Sequence, residues 1–452
     1  CSTRRSVADV TDLAAALDDV LPGARTDLEA LVRIPSLSAD PGRAADVRRA
    51  ADEVAAHARA AGGRDVTVVD AGGAPAVLAT WPAPDGAPTV LLYAHLDVQP
   101  TGPLSEWTSP PFEPTERAGR LYGRGAADDK AGVLMHLAVL RAFGGKPPVG
   151  VVLFVEGEEE VGSPTLTALL AQHRERLRAD VIVIADAANA AVDVPSFTTS
   201  LRGLVDLRVE VRLLAQPVHS GVYGGPVGDA LTGLCRLLAT LHDDMGDVAV
   251  KGLHVGTSAA PDTTTEIYTA EVGLLPGATL IGSGTINERL WHRPAVAVIG
   301  LDAPGVEQAS NVLLPRARAT ISLRIAPGDD GQRAMAALTA HLHEHAPWGA
   351  EVVVAPGAVA EPYALEATGD VYDLARAAFA EAYGNTAVEA GIGGSIPFIA
   401  EFARNFPGAT VLVTGVGDPA SRWHGIDESL DLAMWRRACL AEALLLQRLA
   451  QR

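Results

Sequence analysis

The stretch TVLLYAHLD, residues 89–97, is an apolar run of strand length that ends on a histidine and an aspartate. Runs of the same β-rich character recur on both sides of it, at Val66–Val69, Ala76–Thr80, Val149–Val155 and Val181–Ala185. Apolar positions at helical spacing predict helices at Val7–Val32 (broken near Pro22-Gly23), Ala44–Ala61, Ala131–Phe143 and Leu166–Leu177. Apolar strands that alternate with helices are typical of an α/β fold whose mostly parallel sheet is covered by helices.

The pattern changes within residues 204–362, where strands and helices follow the order β-α-β-β-α-β of a ferredoxin-like domain. Its predicted elements are Val205–Leu213, Val227–Leu241, Ala295–Gly300, Ala317–Ile325, Gln332–Glu344 and Glu351–Ala355. The first pattern then resumes at Val371–Tyr383, Ala409–Thr414 and Leu430–Leu449. We therefore predict a larger α/β domain, residues 1–203 and 363–452, into which a small domain at 204–362 is inserted.

Length, charge and cysteine content narrow the class of protein. The 452-residue chain predicts two or three domains, because one core seldom grows beyond roughly 250–300 residues. A net charge of -19 repels phosphate backbones and anionic membranes, so we expect neither nucleic acid nor membrane as a partner. No apolar run approaches the ~20 residues of a membrane span. Three cysteines without a CxxC pair argue against a disulfide framework and favour a reducing, cytoplasmic setting.

Polar side chains that can bind metals follow several of the predicted strands directly. Since ligands of open parallel sheets bind at the carboxyl ends of the strands, these side chains are expected to converge. They are His95 and Asp97, the acidic cluster Glu156–Glu160, Asp186, and His424 beyond the last strand, with Asp128 just before a helix.

Each of these signals has an ordinary explanation when it is taken alone. His95 and Asp97 could form a surface pair, Glu156–Glu160 a solvated loop, Asp128 a helix cap and His424 a packed core histidine. The ordinary explanations fail jointly, because buried charge at strand ends is costly unless it is paired or bound to a metal.

The candidate residues lie in sequence motifs that extend over most of the chain. In chain order these are Ala94–Pro100 (AHLDVQP), Leu121–Lys130 (LYGRGAADDK), Glu156–Ser163 (EGEEEVGS), Ile184–Asp186, His219–Gly225 (HSGVYGG), Gly393–Pro397 (GGSIP) and His424–Glu428 (HGIDE). In these motifs and their order, the chain resembles the M20 family of metallopeptidases, and within it the carnosinase-like (cytosolic non-specific dipeptidase) branch.

The resemblance implies a pair of divalent metal ions held by His95, Asp128, Glu160, Asp186 and His424. Asp128 would bridge both ions. His95 and Asp186 would complete one coordination sphere, and Glu160 and His424 the other. Asp97 would hold the His95 ring, and Glu159 would act as the general base. A mixed nitrogen and oxygen ligand set suits zinc best, with manganese or cobalt as alternatives.

The inserted domain is implied to be a lid that also forms a homodimer. His219 would stabilise the developing oxyanion in a partner subunit's site, and Arg324 would clamp the carboxylate of the substrate. Asn311, Gly394 and Ser395 would help to hold the substrate. Without the resemblance, His219 would be interpreted as a loop histidine and Arg324 as a charge on a strand surface.

The chain departs from the family pattern near two of the candidate ligands. Residues 187–191 lack an expected Ser and Trp, Trp423 precedes His424 where a small residue is usual, and Asp427 replaces an Asn. We therefore predict that Trp423 shapes substrate specificity.

The predicted function is metal-dependent hydrolysis of the amide bond of dipeptides or similar small amides. The alternatives are an N-acyl-amino-acid deacylase or amidase of the same fold, and a binding protein without catalytic activity. A two-metal phosphatase or nuclease is disfavoured because the acidic balance repels polyanionic substrates.

Overall fold

The computed structural model describes residues 10–258, 262–393 and 397–452. The helices are α1 Val10–Val32, α2 Ala44–Ala60, α3 Lys130–Ala142, α4 Leu166–Gln172, α5 Arg174–Leu177, α6 Ser220–Tyr223, α7 Ala230–Ala239, α8 Thr265–Glu271, α9 Ile286–Trp291, α10 Gly331–Glu344, α11 Asp370–Tyr383, α12 Pro397–Asn405 and α13 Leu432–Leu449. The strands are β1 Arg64–Val69, β2 Ala76–Trp81, β3 Thr89–His95, β4 Thr115–Arg117, β5 Arg120–Tyr122, β6 Gly150–Glu156, β7 Val181–Ile184, β8 Ser196–Leu201, β9 Gly203–Arg212, β10 Val218–His219, β11 Ala295–Asp302, β12 Val312–Leu313, β13 Arg316–Ile325, β14 Glu351–Ala360, β15 Tyr363–Ala364, β16 Val388–Ile392, β17 Thr410–Val413 and β18 Ser429–Asp431.

The chain forms two compact units. The first comprises the residues up to Thr199 together with Glu366–Ala390 and Phe398–Arg452, and the second comprises Ser200–Leu365 and a short segment that begins at Gly391.

The first unit is built on a six-stranded sheet in the order β1-β2-β6-β3-β7-β17. Strands β6, β3, β7 and β17 run parallel to one another, and β1 and β2 are antiparallel additions at one edge. Strands β6 and β7 are buried at every residue, as is β3 after its first. Complete burial explains why these strands are continuously apolar instead of alternating, and the predicted mostly parallel α/β sheet is confirmed.

Helix α1 corrects one detail of the sequence-based prediction, which placed a break near Pro22-Gly23. The structure has a single helix from Val10 to Val32 with Pro22 inside it. Leu17 and Leu28, one on each side of the proline, are both buried in the same core. Tertiary packing of this one apolar face outweighs the hydrogen bond that the proline removes.

The second unit contains a four-stranded antiparallel sheet in the order β11-β13-β9-β14. Along the chain, its strands and the helices α7 and α10 follow the β-α-β-β-α-β order that the sequence predicts. Alternate residues of β9, at positions 205, 207, 209 and 211, are buried in one hydrophobic core with Leu234 and Leu338 of the two helices. Period-two burial of this kind is expected of a sheet with only one covered face.

Helix α12 and the short strands β8 and β16 were not predicted from the sequence. Within the part of the chain that the structure describes, no helix combines the length and the apolar character needed to cross a bilayer. Cys235 and Cys439 are both free thiols.

Candidate metal centre

His95 occupies the carboxyl end of β3, and its imidazole is fully buried. Its Nδ1 lies 3.1 Å from the carbonyl oxygen of Asp97 and 3.4 Å from the carboxylate of the same residue. Its Nε2 points the other way, 3.0 Å from Asp128 Oδ1 and 3.9 Å from Asp186 Oδ1. Asp97 therefore holds Nδ1 of the ring, and Nε2 is directed at two carboxylates.

The Asp128 carboxylate lies between two imidazoles. Its Oδ1 faces His95, and its Oδ2 lies 3.0 Å from Nε2 of His424. The same His424 nitrogen lies 3.2 Å from Glu160 Oε2. Loop residues far apart in the sequence thus meet within contact distance, with Asp128 at the centre.

Parallel register explains why these residues converge. Strand β3 lies between β6 and β7, with His95 beside Glu156 and Tyr93 beside Ile184. The residues that follow the three strands consequently leave the sheet at one edge, as expected for a parallel α/β sheet. Two trios result, in each of which the ligand-type atoms lie within 4.8 Å of one another: His95–Asp128–Glu160 and His95–Glu159–Asp186.

The cluster concentrates negative charge in a buried place. Burial, reinforced by the charge of Asp128, raises the pKa of Asp186 to about 7. Burial also raises the pKa of Glu159, and the charge of Asp186 raises it further. In contrast, hydrogen bonds to Asp128 and Glu160 raise the pKa of His424 to about 10. The two imidazoles do not fully balance the negative charge of the carboxylates. Bound divalent cations would balance it.

Lys130, two residues after Asp128, does not supply that charge, because its ammonium group donates elsewhere. Lys130 is buried and donates to the carbonyl oxygens of Leu31 and Ile34, at 2.9 and 2.7 Å. Two imidazoles and several carboxylates form a donor set of the kind found in zinc, manganese and cobalt enzymes, so the residues fit a pair of such ions.

A second layer of hydrogen bonds holds the acidic cluster in place. The Asp97 carboxylate accepts from the backbone N–H groups of Glu159 and Glu160, at 3.2 and 3.1 Å. The Gln99 side-chain amide donates to the Glu160 carbonyl oxygen and to its Oε2, at 3.0 and 2.9 Å. Gln99 was not predicted as a site residue, although it lies in the same AHLDVQP motif as His95.

The two departures next to His424 have structural partners. The Trp423 ring packs against the core of the first unit, and a Cβ added to Gly417 would lie 2.1 Å from it. The Asp427 carboxylate accepts from the backbone N–H of Thr108 at 2.9 Å and from its hydroxyl at 2.6 Å. A contact between Trp423 and substrate stays a prediction.

In the second unit, the structure brings His219 and Asn311 together. His219 pairs with Val312 in the two-stranded sheet of β10 and β12, and the next residue, Ser220, donates its N–H to the Asn311 carbonyl at 2.9 Å. Arg324 is half-buried on β13 and pairs with Leu204 of β9. Gly394 and Ser395 lie outside the described residues.

An α/β fold that gathers two imidazoles and several buried carboxylates at the carboxyl edge of its sheet is typical of metal-dependent hydrolases. The sequence model of "Peptidase family M20/M25/M40" matches residues 91–448. The chain belongs to this peptidase family, as its motifs predicted, and the family implies divalent metal ions.

Individual relatives indicate which branch of the family the chain resembles. A cysteinylglycine-S-conjugate dipeptidase of Corynebacterium striatum is 37% identical over 366 residues, which cover 79% of this chain and 80% of the relative. A Cys-Gly metallodipeptidase of Schizosaccharomyces pombe is 26% identical over 456 residues, covering 90% and 91%. The crystal structure of human carnosine dipeptidase 1 superposes with a TM-score of 0.82 at 25% identity, covering 98% of this chain and 99% of that one. The predicted resemblance to the carnosinase-like branch is confirmed.

Proposed function

We propose that this enzyme hydrolyses the peptide bond of unmodified dipeptides at a two-metal centre. The observation that carries the proposal is the Asp128 carboxylate, whose oxygens lie 3.0 Å from the imidazoles of His95 and His424. Dipeptidases among the relatives of this chain support the substrate class.

Five side chains would hold the ions: His95, Asp128, Glu160, Asp186 and His424. When bound, a pair of divalent ions, most simply zinc, lowers the pKa of a water molecule and polarises the scissile carbonyl. Asp128 would be shared between the ions because each of its oxygens faces a different imidazole. Asp97 would keep the His95 Nε2 directed at the centre through its contacts with Nδ1.

Glu159 would act as the general base. Its carboxylate would take a proton from the attacking water and deliver it to the nitrogen of the leaving amine. Two features support this role: the Glu159 backbone N–H is fixed by Asp97, and burial raises the pKa of its carboxyl. A carboxyl whose pKa is raised in this direction is better matched to accepting a proton near neutral pH.

The second unit, predicted as residues 204–362, would recognise the substrate and form a homodimer. Arg324 would bind the terminal carboxylate of the dipeptide, because a guanidinium offers two parallel donors. His219 would donate to the developing oxyanion of the partner's substrate, with Asn311, Gly394 and Ser395 as further contacts. The sparse cysteines favour a cytoplasmic location.

A dipeptide screen tests the proposal directly. The purified protein is incubated with a dipeptide library, with and without chelator, and Zn²⁺, Mn²⁺ or Co²⁺ is then added back. We expect hydrolysis of free dipeptides that the chelator abolishes and at least one metal restores.

The matched control replaces each dipeptide by its N-acetylated form. Cleavage of the acetylated amides alone would overturn the dipeptidase proposal in favour of a deacylase. Hydrolysis that persists at full rate without metal would overturn the metal centre.

A further inference from the structure

The loops that carry the candidate ligands meet at a buried ion pair between Arg124 and Glu428. Nη1 of Arg124 lies 2.7 Å from Oε2 of Glu428, and the two side chains are 1% and 0% exposed. Removing both charges from water carries a large desolvation cost, which the attraction within the pair often fails to offset. A buried pair is therefore weak evidence for stability, and its other hydrogen bonds indicate what it does.

Arg124 connects two of the ligand-bearing loops. Its Nη2 donates to the carbonyl oxygen of Pro100, in the segment that follows His95, at 3.1 Å. The same atom donates to the carbonyl oxygen of Gly425, next to His424, also at 3.1 Å. One guanidinium thus contacts the backbone of the segment that follows His95 and of the residue that follows His424.

Glu428 connects its own loop, which carries His424, to the loop that carries Asp128. Its Oε1 accepts from the backbone N–H groups of Ala127 and Asp128, at 2.9 and 3.1 Å, and its Oε2 accepts from Gly125 at 3.0 Å. The carboxylate therefore holds the backbone of Asp128 itself, the residue whose side chain touches both imidazoles.

We propose that the Arg124–Glu428 pair is a positioning device that aligns the loops of His95, Asp128 and His424 before metal binds; the inference rests on the proposed two-metal centre. Each of the hydrogen bonds described above ends on one of these loops. Neither residue would touch substrate.

Zinc binding by metal-free protein tests the proposal. Wild type, Glu428→Gln and the double variant Arg124→Met/Glu428→Met are titrated with Zn²⁺ against a chromophoric chelator, and thermal unfolding of each metal-free protein is recorded. In Glu428→Gln the amide presents an NH₂ where two donors already point, so we expect the Zn²⁺ dissociation constant to rise about 10–100-fold.

The double variant separates positioning from stability. Losing both charges together avoids the uncompensated buried charge that a single loss leaves. The metal-free double variant should therefore unfold above the temperature of Glu428→Gln, although below that of wild type, because the backbone N–H groups of Gly125, Ala127 and Asp128 have lost their acceptor. Its Zn²⁺ affinity should nevertheless stay about 10–100-fold weaker, because the loop backbones have lost their shared anchor. A double variant that regains wild-type Zn²⁺ affinity would overturn the proposal and leave the pair a purely structural feature.

Arg141→Met provides the matched control. Arg141 forms an ion pair of the same length, 2.7 Å, with Asp27 between α3 and α1, away from the ligand loops. Its Zn²⁺ affinity should equal that of wild type, and a loss as large as that of Glu428→Gln would overturn the proposal.

The outcomes also distinguish this inference from the proposed function. Wild-type protein that binds two Zn²⁺ ions but cleaves no dipeptide overturns the function alone. Variants that bind Zn²⁺ as tightly as wild type overturn the positioning role alone, and wild-type protein that binds no divalent ion overturns both.

Discussion

At the scale of single residues, the Asp97 side chain contacts two separate parts of the candidate metal centre. Its carboxylate faces the His95 ring at 3.4 Å and also accepts from the backbone N–H groups of Glu159 and Glu160. One side chain thus orients a candidate ligand from β3 and fixes the segment that carries both the candidate base and another candidate ligand. These contacts depend on the carboxylate oxygens of Asp97, so removing the carboxylate should be informative.

Replacing Asp97 with Ala should weaken Zn²⁺ binding about 10–100-fold, because the 159–160 backbone loses its acceptor and the His95 ring keeps only its contact with the carbonyl oxygen of residue 97. The measurement is chelator competition on metal-free protein. Asp180→Ala is the matched control, since Asp180 accepts from the N–H of Thr89 at the opposite end of the same strand, at 2.8 Å. Equal losses in the two variants would contradict a specific role for Asp97.

Glu159→Gln should lower kcat for dipeptide hydrolysis about 10²–10⁴-fold, because the amide cannot accept the proton. The variant should still bind two Zn²⁺ ions, as measured by metal analysis after dialysis. Since Glu159 also lies in one of the two close trios with His95 and Asp186, loss of one ion in the variant would instead identify Glu159 as a ligand.

At the scale of secondary structure, local preference and tertiary packing disagree most clearly in α1. The sequence PG at positions 22–23 favours a break, yet the helix continues to Val32. The Thr26 hydroxyl donates to the Pro22 carbonyl at 3.1 Å. The continuous helix matters for the site because the Leu31 and Ile34 carbonyls at its end accept the buried Lys130 ammonium, two residues after Asp128.

Gly23→Ala should raise the free energy of unfolding by about 0.5–1 kcal/mol, because an alanine loses less backbone entropy inside a helix. A Cβ at this position would meet no atom within 4 Å. Chemical denaturation measures the change. The control, Gly62→Ala, should be destabilising, since Gly62 has a φ of +85° and its Cβ would lie 3.0 Å from Gly145. Destabilisation by Gly23→Ala would contradict an uninterrupted helix.

At the scale of the whole molecule, one unit supplies the candidate metal centre from residues between positions 95 and 424. The buried carboxylates repel one another, and burial raises the pKa values of Glu159, Glu160 and Asp186. Bound cations would remove that repulsion, so metal content and stability of the fold should be linked.

Chelation should lower the thermal unfolding temperature of the full chain, and Zn²⁺ should restore it. At a free Zn²⁺ concentration of about a hundred times the Kd, each site adds about 2.7 kcal/mol to the free energy of unfolding, because the ion binds only the folded state. Calorimetry measures the shift. Asp128→Ala, which lacks the carboxylate between the two imidazoles, is the control and should respond little; an equal response would contradict the shared-ligand role.

Much of the fold could be predicted from periodicity. The apolar runs before His95, Glu156 and Asp186 predicted a mostly parallel sheet, and the order of strands and helices within residues 204–362 predicted the inserted β-α-β-β-α-β domain. Since His95, the acidic cluster Glu156–Glu160 and Asp186 lie at strand ends, the edge at which they meet followed from the strand direction. Helix α12 was not predicted, although Pro397 at its first position and Pro407 just beyond its end are helix-boundary signals.

The sequence by itself determined the α/β class and the inserted β-α-β-β-α-β order, because these depend on local periodicity, and it indicated the candidate ligands through residues near strand ends and through motifs that resemble those of the family. Only the tertiary structure decided the continuity of α1 through Pro22, the contacts of Gln99 and the pairing of Arg124 with Glu428. Arg124 and Glu428 are 304 positions apart in the sequence. Which buried charges meet depends on how distant loops come together around the sheet edge, and no local pattern records that.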